Sequence, residues 1–262
     1  MTNRFIKKIK SKNIEILSVV TVIVIWELVA DFIVKNPFYM PSFHSVVLAF
    51  INVVQSGSLF SDTGISLYHF AYGFIAALIV GIPVGILMGW FPKANRALSP
   101  IIEILRPIPP LAWIPFAIIW LKLTHTAAAF IIFLGMVFPI ILNTYSGFKN
   151  VPKVYVEAAK VLGCTENNKL IRYVALPAAS PSILSGIRVA MGVGWMCLAA
   201  SEMFGVSDSG IGYKIWFYYG IQRMDYVVVY MLILGMVGLL LDFLFRRFVQ
   251  DRILKWQKGT VI

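Results

Sequence analysis

The sequence predicts an all-α integral membrane protein of about six transmembrane helices, and three observations carry that expectation. Of its 262 residues, 59% are hydrophobic, against roughly 45–50% in a soluble globular domain. Only 13% are charged, where a soluble domain has roughly 25%. The apolar residues also gather into six runs close to the ~20 residues that a bilayer demands. A disordered chain needs the opposite composition. A water-soluble enzyme of this length has no interior large enough to hide so much apolar surface.

The first run, Ile14–Val34, follows Arg4, Lys7, Lys8, Lys10 and Lys12. It is too long for the apolar core of a signal peptide, and no small-x-small cleavage site follows in Asp31–Phe38, so it reads as a retained helix. The second, Ser66–Trp90, carries Gly73, Ala77, Gly81, Gly85 and Gly89 at four-residue spacing. Small residues so placed let two helices approach closely, as static packing or as a sliding seam. The third, Ile101–Leu121, is interrupted by Pro107, Pro109, Pro110 and Pro115. Each proline removes a backbone donor and kinks a helix, which a membrane tolerates where neighbours or water satisfy the freed carbonyls. Ala127–Phe148, Pro181–Phe204 and Tyr226–Phe248 complete the set.

Net charge is +11, and its distribution reads as topology. With the N-terminus placed in the cytoplasm and loops counted alternately, 17 Lys and Arg residues fall inside and four fall outside, namely Lys35, Lys122, Lys214 and Arg223. The positive-inside rule then puts both termini in the cytoplasm. The charge needs no nucleic-acid partner; membrane lipid is the expected surround. Residues 1–13 and 249–262 are basic tails flanking a membrane domain over 14–248. Cys164 and Cys197 offer no disulfide framework and no metal-ligand spacing; Cys197, in an apolar run, reads as a small core residue.

The loop Lys149–Ser180 is too polar to span and falls on the inner side. Val154, Ala158, Val161 and Leu162 recur at helical spacing after Pro152. Glu157 then lies near the start of a short helix, where a carboxylate meets exposed amides, and Gly163 reads as its end. A second short helix, about Glu166–Val174, runs to Pro177. Pattern alone leaves two readings: a docking site for a cytoplasmic partner, or an amphipathic helix at the interface.

Glu157-Ala158-Ala159, then Gly163, then Leu176-Pro177 resembles the EAA loop of ABC importer permeases. Leu105-Arg106-Pro107-Ile108-Pro109-Pro110-Leu111-Ala112-Trp113-Ile114-Pro115 resembles the third-span signature of the nitrate/sulfonate/taurine-type permeases. Met40-Pro41-Ser42 and Ser209-Gly210-Ile211-Gly212-Tyr213 fit the same subfamily. The stretch from Gly163 to Leu176-Pro177 is one residue longer than the usual pattern. The resemblance implies the type I importer permease fold, with ATPase coupling through Glu157, Ala158, Ala159, Gly163, Leu176 and Pro177. It also implies two ATPase subunits that bind ATP and Mg, a second permease copy making a homodimer, and an extracytoplasmic substrate-binding protein. The cargo it implies is a small oxyanion-type solute moved inward by alternating access.

The motif inventory agrees. There is no G-x-x-x-x-G-K-[ST] phosphate loop, so ATP chemistry is expected in a partner and no cofactor in this chain. His44, His69 and His125 show no ligand spacing, and no nucleophile-elbow motif supports an enzyme. The alternative is a stand-alone secondary transporter or channel, which visible inverted repeats would favour; none is clear. Ionisable residues within spans mark pathways or pair with one another. Glu27, Glu103, Arg106, Arg188, Glu202 and Asp242 qualify by position, with Glu27 and Asp242 toward span ends. Arg106 and Arg188 either attract an anion along a pathway, for which the guanidinium fork is suited, or hold a carboxylate of a neighbouring helix. Asn143, Trp195 and Glu202 join them as candidate pathway residues.

Overall fold

The structure is a computed structural model and describes residues 17–253. The predicted basic tail 1–13, the opening of the first run, Lys255 and Lys258 lie outside the described residues. Its main helices are α1 Leu17–Val34, α2 Phe43–Gln55, α3 Ser58–Trp90, α4 Pro92–Leu105, α5 Pro110–Leu121, α6 His125–Lys149, α7 Lys153–Val161, α8 Asn167–Met203, α9 Ile211–Gly220 and α10 Met224–Val249. No strand occurs among the described residues. Helices α1, α3, α6, α8 and α10 are each long and apolar enough to cross a membrane, and α4 with α5 forms a bent sixth candidate.

The chain divides into two units, residues 1–61 with 214–233 and residues 62–213 with 234–262. In the first, Ser42 caps α2 by accepting from the Ser45 amide. Glu27 of α1 accepts from the Phe43 amide at 2.6 Å and the His44 amide at 3.3 Å. A carboxylate over free helix amides also meets the positive end of the helix dipole. The Trp26 indole N–H donates to the Pro41 carbonyl at 3.0 Å. The Met40-Pro41-Ser42 motif thus joins a helix start to the preceding span. Tyr218, Tyr226 and Tyr230 stack in the same unit.

The second unit holds the main core, drawn from α3, α6 and α8 around Phe70, Ala77, Met136, Ile140, Ile183, Ile187 and Leu198. The small residues of α3 lie against α6. A Cβ on Gly73 would sit 2.7 Å from the Ala129 carbonyl, one on Gly81 2.8 Å from Ile140, and one on Gly85 2.5 Å from Thr144 Cβ. The stripe is therefore a close-packed seam, held by dispersion because lipid offers no hydrophobic drive between helices. Gly85→Leu is expected to destabilise the protein by about 1–3 kcal/mol or more through overpacking. Gly64→Leu, whose Cβ meets open space, should be near neutral. Thermal unfolding of the two variants in detergent checks the contrast; equal melting temperatures would contradict a packed seam.

Two expectations need correction. The third run is not one continuous span: α4 and α5 meet at 85°. Pro107 and Pro109 break the ladder between them, and residues 110–113 resume only as a 3-10 turn. The second inner helix does not stop at Pro177, and the fifth span does not begin at Pro181. Both belong to α8, which runs unbroken from Asn167. Just before Pro177 the helix widens into a π-turn over Ile171–Ala175, and the Leu176 amide donates to the Ile171 carbonyl five residues back. That one-residue slip relieves the clash between a proline ring and the carbonyl four residues before it.

Candidate functional site

Four places gather the residues singled out by sequence. The first is α7. Pro152 precedes it and Leu162 ends it. The Gly163 amide donates to the Lys160 carbonyl at 3.0 Å and the Cys164 amide to the Ala159 carbonyl at 2.9 Å. These two bonds make a Schellman cap, whose turning residue needs positive φ; Gly163 supplies it at 90°. Glu157 is the fifth residue of α7, not part of its first turn. It is exposed, so its carboxylate serves the outer face of the helix and not the helix start. Ala158 is exposed and Ala159 half-buried. Val154, Tyr155, Val161 and Leu162 are 67%, 56%, 87% and 86% exposed. Leu176 and Pro177 lie on the first turns of α8 beyond the π-turn and are exposed too.

The second place is the break between α4 and α5. Arg106 caps the end of α4 and shares a cleft of about 300 Å3 with Asn143, Phe138, Pro139 and Val193. Asn143 Nδ2 donates to the Pro139 carbonyl at 2.9 Å. Among the described residues the Arg106 guanidinium has no hydrogen-bond or ion-pair partner.

The third is a groove of about 500 Å3 between α8 and α10 that holds Arg188 and Trp195. Arg188 donates from Nε to Asp242 Oδ1 at 2.7 Å and from Nη2 to Oδ2 at 3.0 Å. Of the two readings open for Arg188, the carboxylate pairing is the one present here. The Trp195 indole N–H donates to the Leu234 carbonyl at 3.0 Å.

The fourth is a buried knot around Glu202, which lines neither cleft and is 1% exposed. Its carboxylate accepts from Ser66 Oγ at 2.9 Å and from the Gly212 amide at 2.8 Å. His69 Nδ1 lies 2.8 Å from Oε1, and His69 Nε2 meets His125 Nδ1 at 2.7 Å. Ser66 Oγ also accepts from the Ile211 amide at 2.9 Å. The first free amides of α9 therefore point at one serine and one carboxylate. Gly210 has φ 114°, and a Cβ there would lie 2.5 Å from the Glu202 carboxylate. This accounts for the spacing Ser209-Gly210-Ile211-Gly212: glycine is required both to turn and to let the carboxylate through. Sequence reading treated His69 and His125 as scattered. The available signal was Ser66 and His69, three residues apart on one face of an apolar run. Among the described residues no group of three metal-ligating side chains forms.

Comparison with known proteins places this geometry. A sequence family described as "Binding-protein-dependent transport system inner membrane component" matches residues 81–253. An ABC transporter permease protein of Methanocaldococcus jannaschii is 44% identical over 90% of this chain and 89% of its own length. The bicarbonate transport system permease protein CmpB of Synechococcus elongatus is 40% identical over 70% of this chain and 66% of its own. An aliphatic sulfonates transport permease protein of Bacillus subtilis is 33% identical over 91% of this chain and 85% of its own. In fold, the chain is similar to an inward-facing structure of the MetNI methionine ABC transporter. That likeness has a TM-score of 0.62 and 21% identity, and covers 77% of this chain and 96% of that one. Helices with a broken span, an exposed helix after α6 and a profile over two thirds of the sequence converge on one assignment. The chain belongs to the binding-protein-dependent transport system inner membrane components, as an ABC importer permease of the nitrate, sulfonate, taurine and bicarbonate type.

Proposed function

We propose that this permease forms the membrane path of an ATP-driven importer for a small solute with an anionic oxygen head, with α7 as its coupling helix. The observation that carries the reading is the apolar surface of α7. Val154, Tyr155, Val161 and Leu162 are exposed in a segment too polar to lie in the bilayer, and such a patch outside lipid calls for a protein cover. The cover is a separate ATPase. Glu157, Ala158, Ala159 and Gly163 form the surface that it grips, and Leu176 and Pro177 lead the movement into α8. Two ATPases need two such helices, so a second copy of the chain completes the assembly around a two-fold axis. A binding protein delivers solute at the outer face, and ATP closure inside shifts the pair between outward and inward states.

The charge bias of 17 to 4 supports both termini inside, with the bent α4–α5 pair as one broken span. Read as a re-entrant loop, the pair would move Lys149, Lys153, Lys160, Lys169 and Arg172 to the side opposite the N-terminal tail, against the positive-inside rule. Arg106 and Asn143 at the break fit a pathway role, because non-helical backbone at membrane depth is either buried in protein or lines a water-filled cavity, and these two side chains line a cleft. Relatives named for bicarbonate, nitrate, aliphatic sulfonates and taurine support the solute class. Glu202, sealed in its knot, is proposed as an anchor for the start of α9.

The test is purification of the tagged chain from its native membrane at its native level. An ATPase is expected to co-purify, with mass measurement giving two permeases and two ATPases. Transport by the chain alone in ATP-free vesicles would instead establish a stand-alone carrier.

A further inference from the structure

The groove between α8 and α10 has a chemistry that the general pathway reading does not use. Its walls are Phe70, Met191, Trp195, Met196 and Leu239, and three glycines, Gly192, Gly235 and Gly238, line it too. A Cβ on Gly192 or Gly235 would meet nothing within 4 Å, so the space opens directly over backbone. The Trp195 indole N–H is already bonded to Leu234 and offers no donor to a guest. Arg188 and Asp242 supply the polar part.

A guanidinium has two bidentate edges and five N–H donors. Asp242 takes one edge, through Nε and Nη2. The end edge, Nη1 with the second Nη2 hydrogen, stays free, and the side chain is 42% exposed. Asp242 is thus a positioning residue that fixes the plane of the guanidinium and aims its free fork. A sulfonate or carboxylate matches that fork with two parallel N–H···O bonds. Because Asp242 neutralises the arginine, a bound anion is held loosely enough to leave, as a transport path requires.

We propose that this groove is an intramembrane site for an organic oxyanion, its head on the free fork of Arg188 and its apolar body along Phe70, Met191, Trp195 and Met196. Size and lining select the organic class. The groove measures about 500 Å3, while a water takes ~30 Å3 in the liquid, so an ion as small as nitrate or bicarbonate leaves most of the apolar wall wet. The inference rests on the permease reading and narrows its solute class.

The test uses the full chain in phosphatidylcholine nanodiscs, titrated calorimetrically with 1-butanesulfonate and with methanesulfonate. The head is the same and only the body differs. Butanesulfonate is expected to bind saturably and at least tenfold more tightly, since each buried methylene adds to the transfer term. Arg188→Lys keeps the charge and loses the second fork; Gly235→Leu fills the groove from an open position. Each should weaken butanesulfonate at least tenfold at an unchanged melting temperature. If Arg188→Lys unfolds, Gly235→Leu alone decides. Equal binding of the two sulfonates, or wild-type binding by Gly235→Leu, would overturn the proposal. So would loss of the site when phosphatidylglycerol is added, because the groove would then belong to anionic lipid. ATP-driven uptake with the native ATPase and binding protein is measured in parallel. Uptake without a butanesulfonate site removes this inference and leaves the permease reading standing.

Discussion

Glu202→Leu is expected to cost roughly 3–5 kcal/mol of stability, the scale for removing one partner of a buried charged or polar pair. The side chain is 1% exposed and His69 and Ser66 are fully buried. Leucine removes the acceptor for Ser66 Oγ, His69 Nδ1 and the Gly212 amide together, and none of the three can turn to water. Glu202→Gln keeps one carbonyl oxygen and replaces the other by a donor, which then faces a donor. It should fall between wild type and leucine. The measurement is thermal unfolding of the detergent-purified protein, with the order wild type, glutamine, leucine. A leucine variant as stable as the glutamine variant would show that the knot contributes little.

Gly163→Asp is expected to reduce ATP-coupled uptake at least tenfold, with capture of solute by the binding protein unchanged. At φ 90° a side chain strains the backbone by roughly 1–2 kcal/mol, and a carboxylate after the last turn opposes the helix dipole. The Schellman bonds from Gly163 and Cys164 then loosen, and α7 loses the fixed end that presents the exposed Val161 and Leu162. Glu157→Lys is expected to act by another route. The residue is exposed in mid-helix, so the change reverses charge on the surface proposed for docking while the helix stays folded. Transport and ATP hydrolysis in reconstituted vesicles separate the two effects. Wild-type rates for both variants would remove the coupling role of α7.

The long spans were legible because length and hydropathy alone specify a helix that can cross a bilayer. The positions of α3, α6 and α10 follow the apolar runs closely, although α3 begins at Ser58 and not Ser66. The 85° break was legible only as a cluster of prolines: a missing donor marks where a helix fails, not the angle at which the next one starts. The continuity of α8 was hidden for the opposite reason. Pro177 reads as a stop and Pro181 as the start of the next span, and the π-turn just ahead of Pro177 is a one-residue slip with no sequence signature. The EAA resemblance points to α7, but Glu157 falls a turn later in the helix than expected because the helix has already started at Lys153. Of the candidate pathway residues, Arg106 with Asn143 and Arg188 with Trp195 come together in pairs. Arg188 and Trp195, seven positions apart on one helix, share a face by helical period alone, whereas nothing local links Arg106 to Asn143, 37 positions away. The knot was the least legible: Glu202 and His69 stand 133 positions apart, and no periodicity joins them.

That separation has a consequence for how the protein is made. Ser66 and His69 on α3 leave the ribosome well before Glu202 on α8. At ~5–20 residues per second, the histidine waits on the order of ten seconds for its carboxylate. Two of its three donors are therefore already made when Glu202 arrives, and the third, the Gly212 amide, follows ten residues later. The costly acidic side chain never has to face lipid alone, and it meets its partners in the order that keeps the nascent chain best solvated.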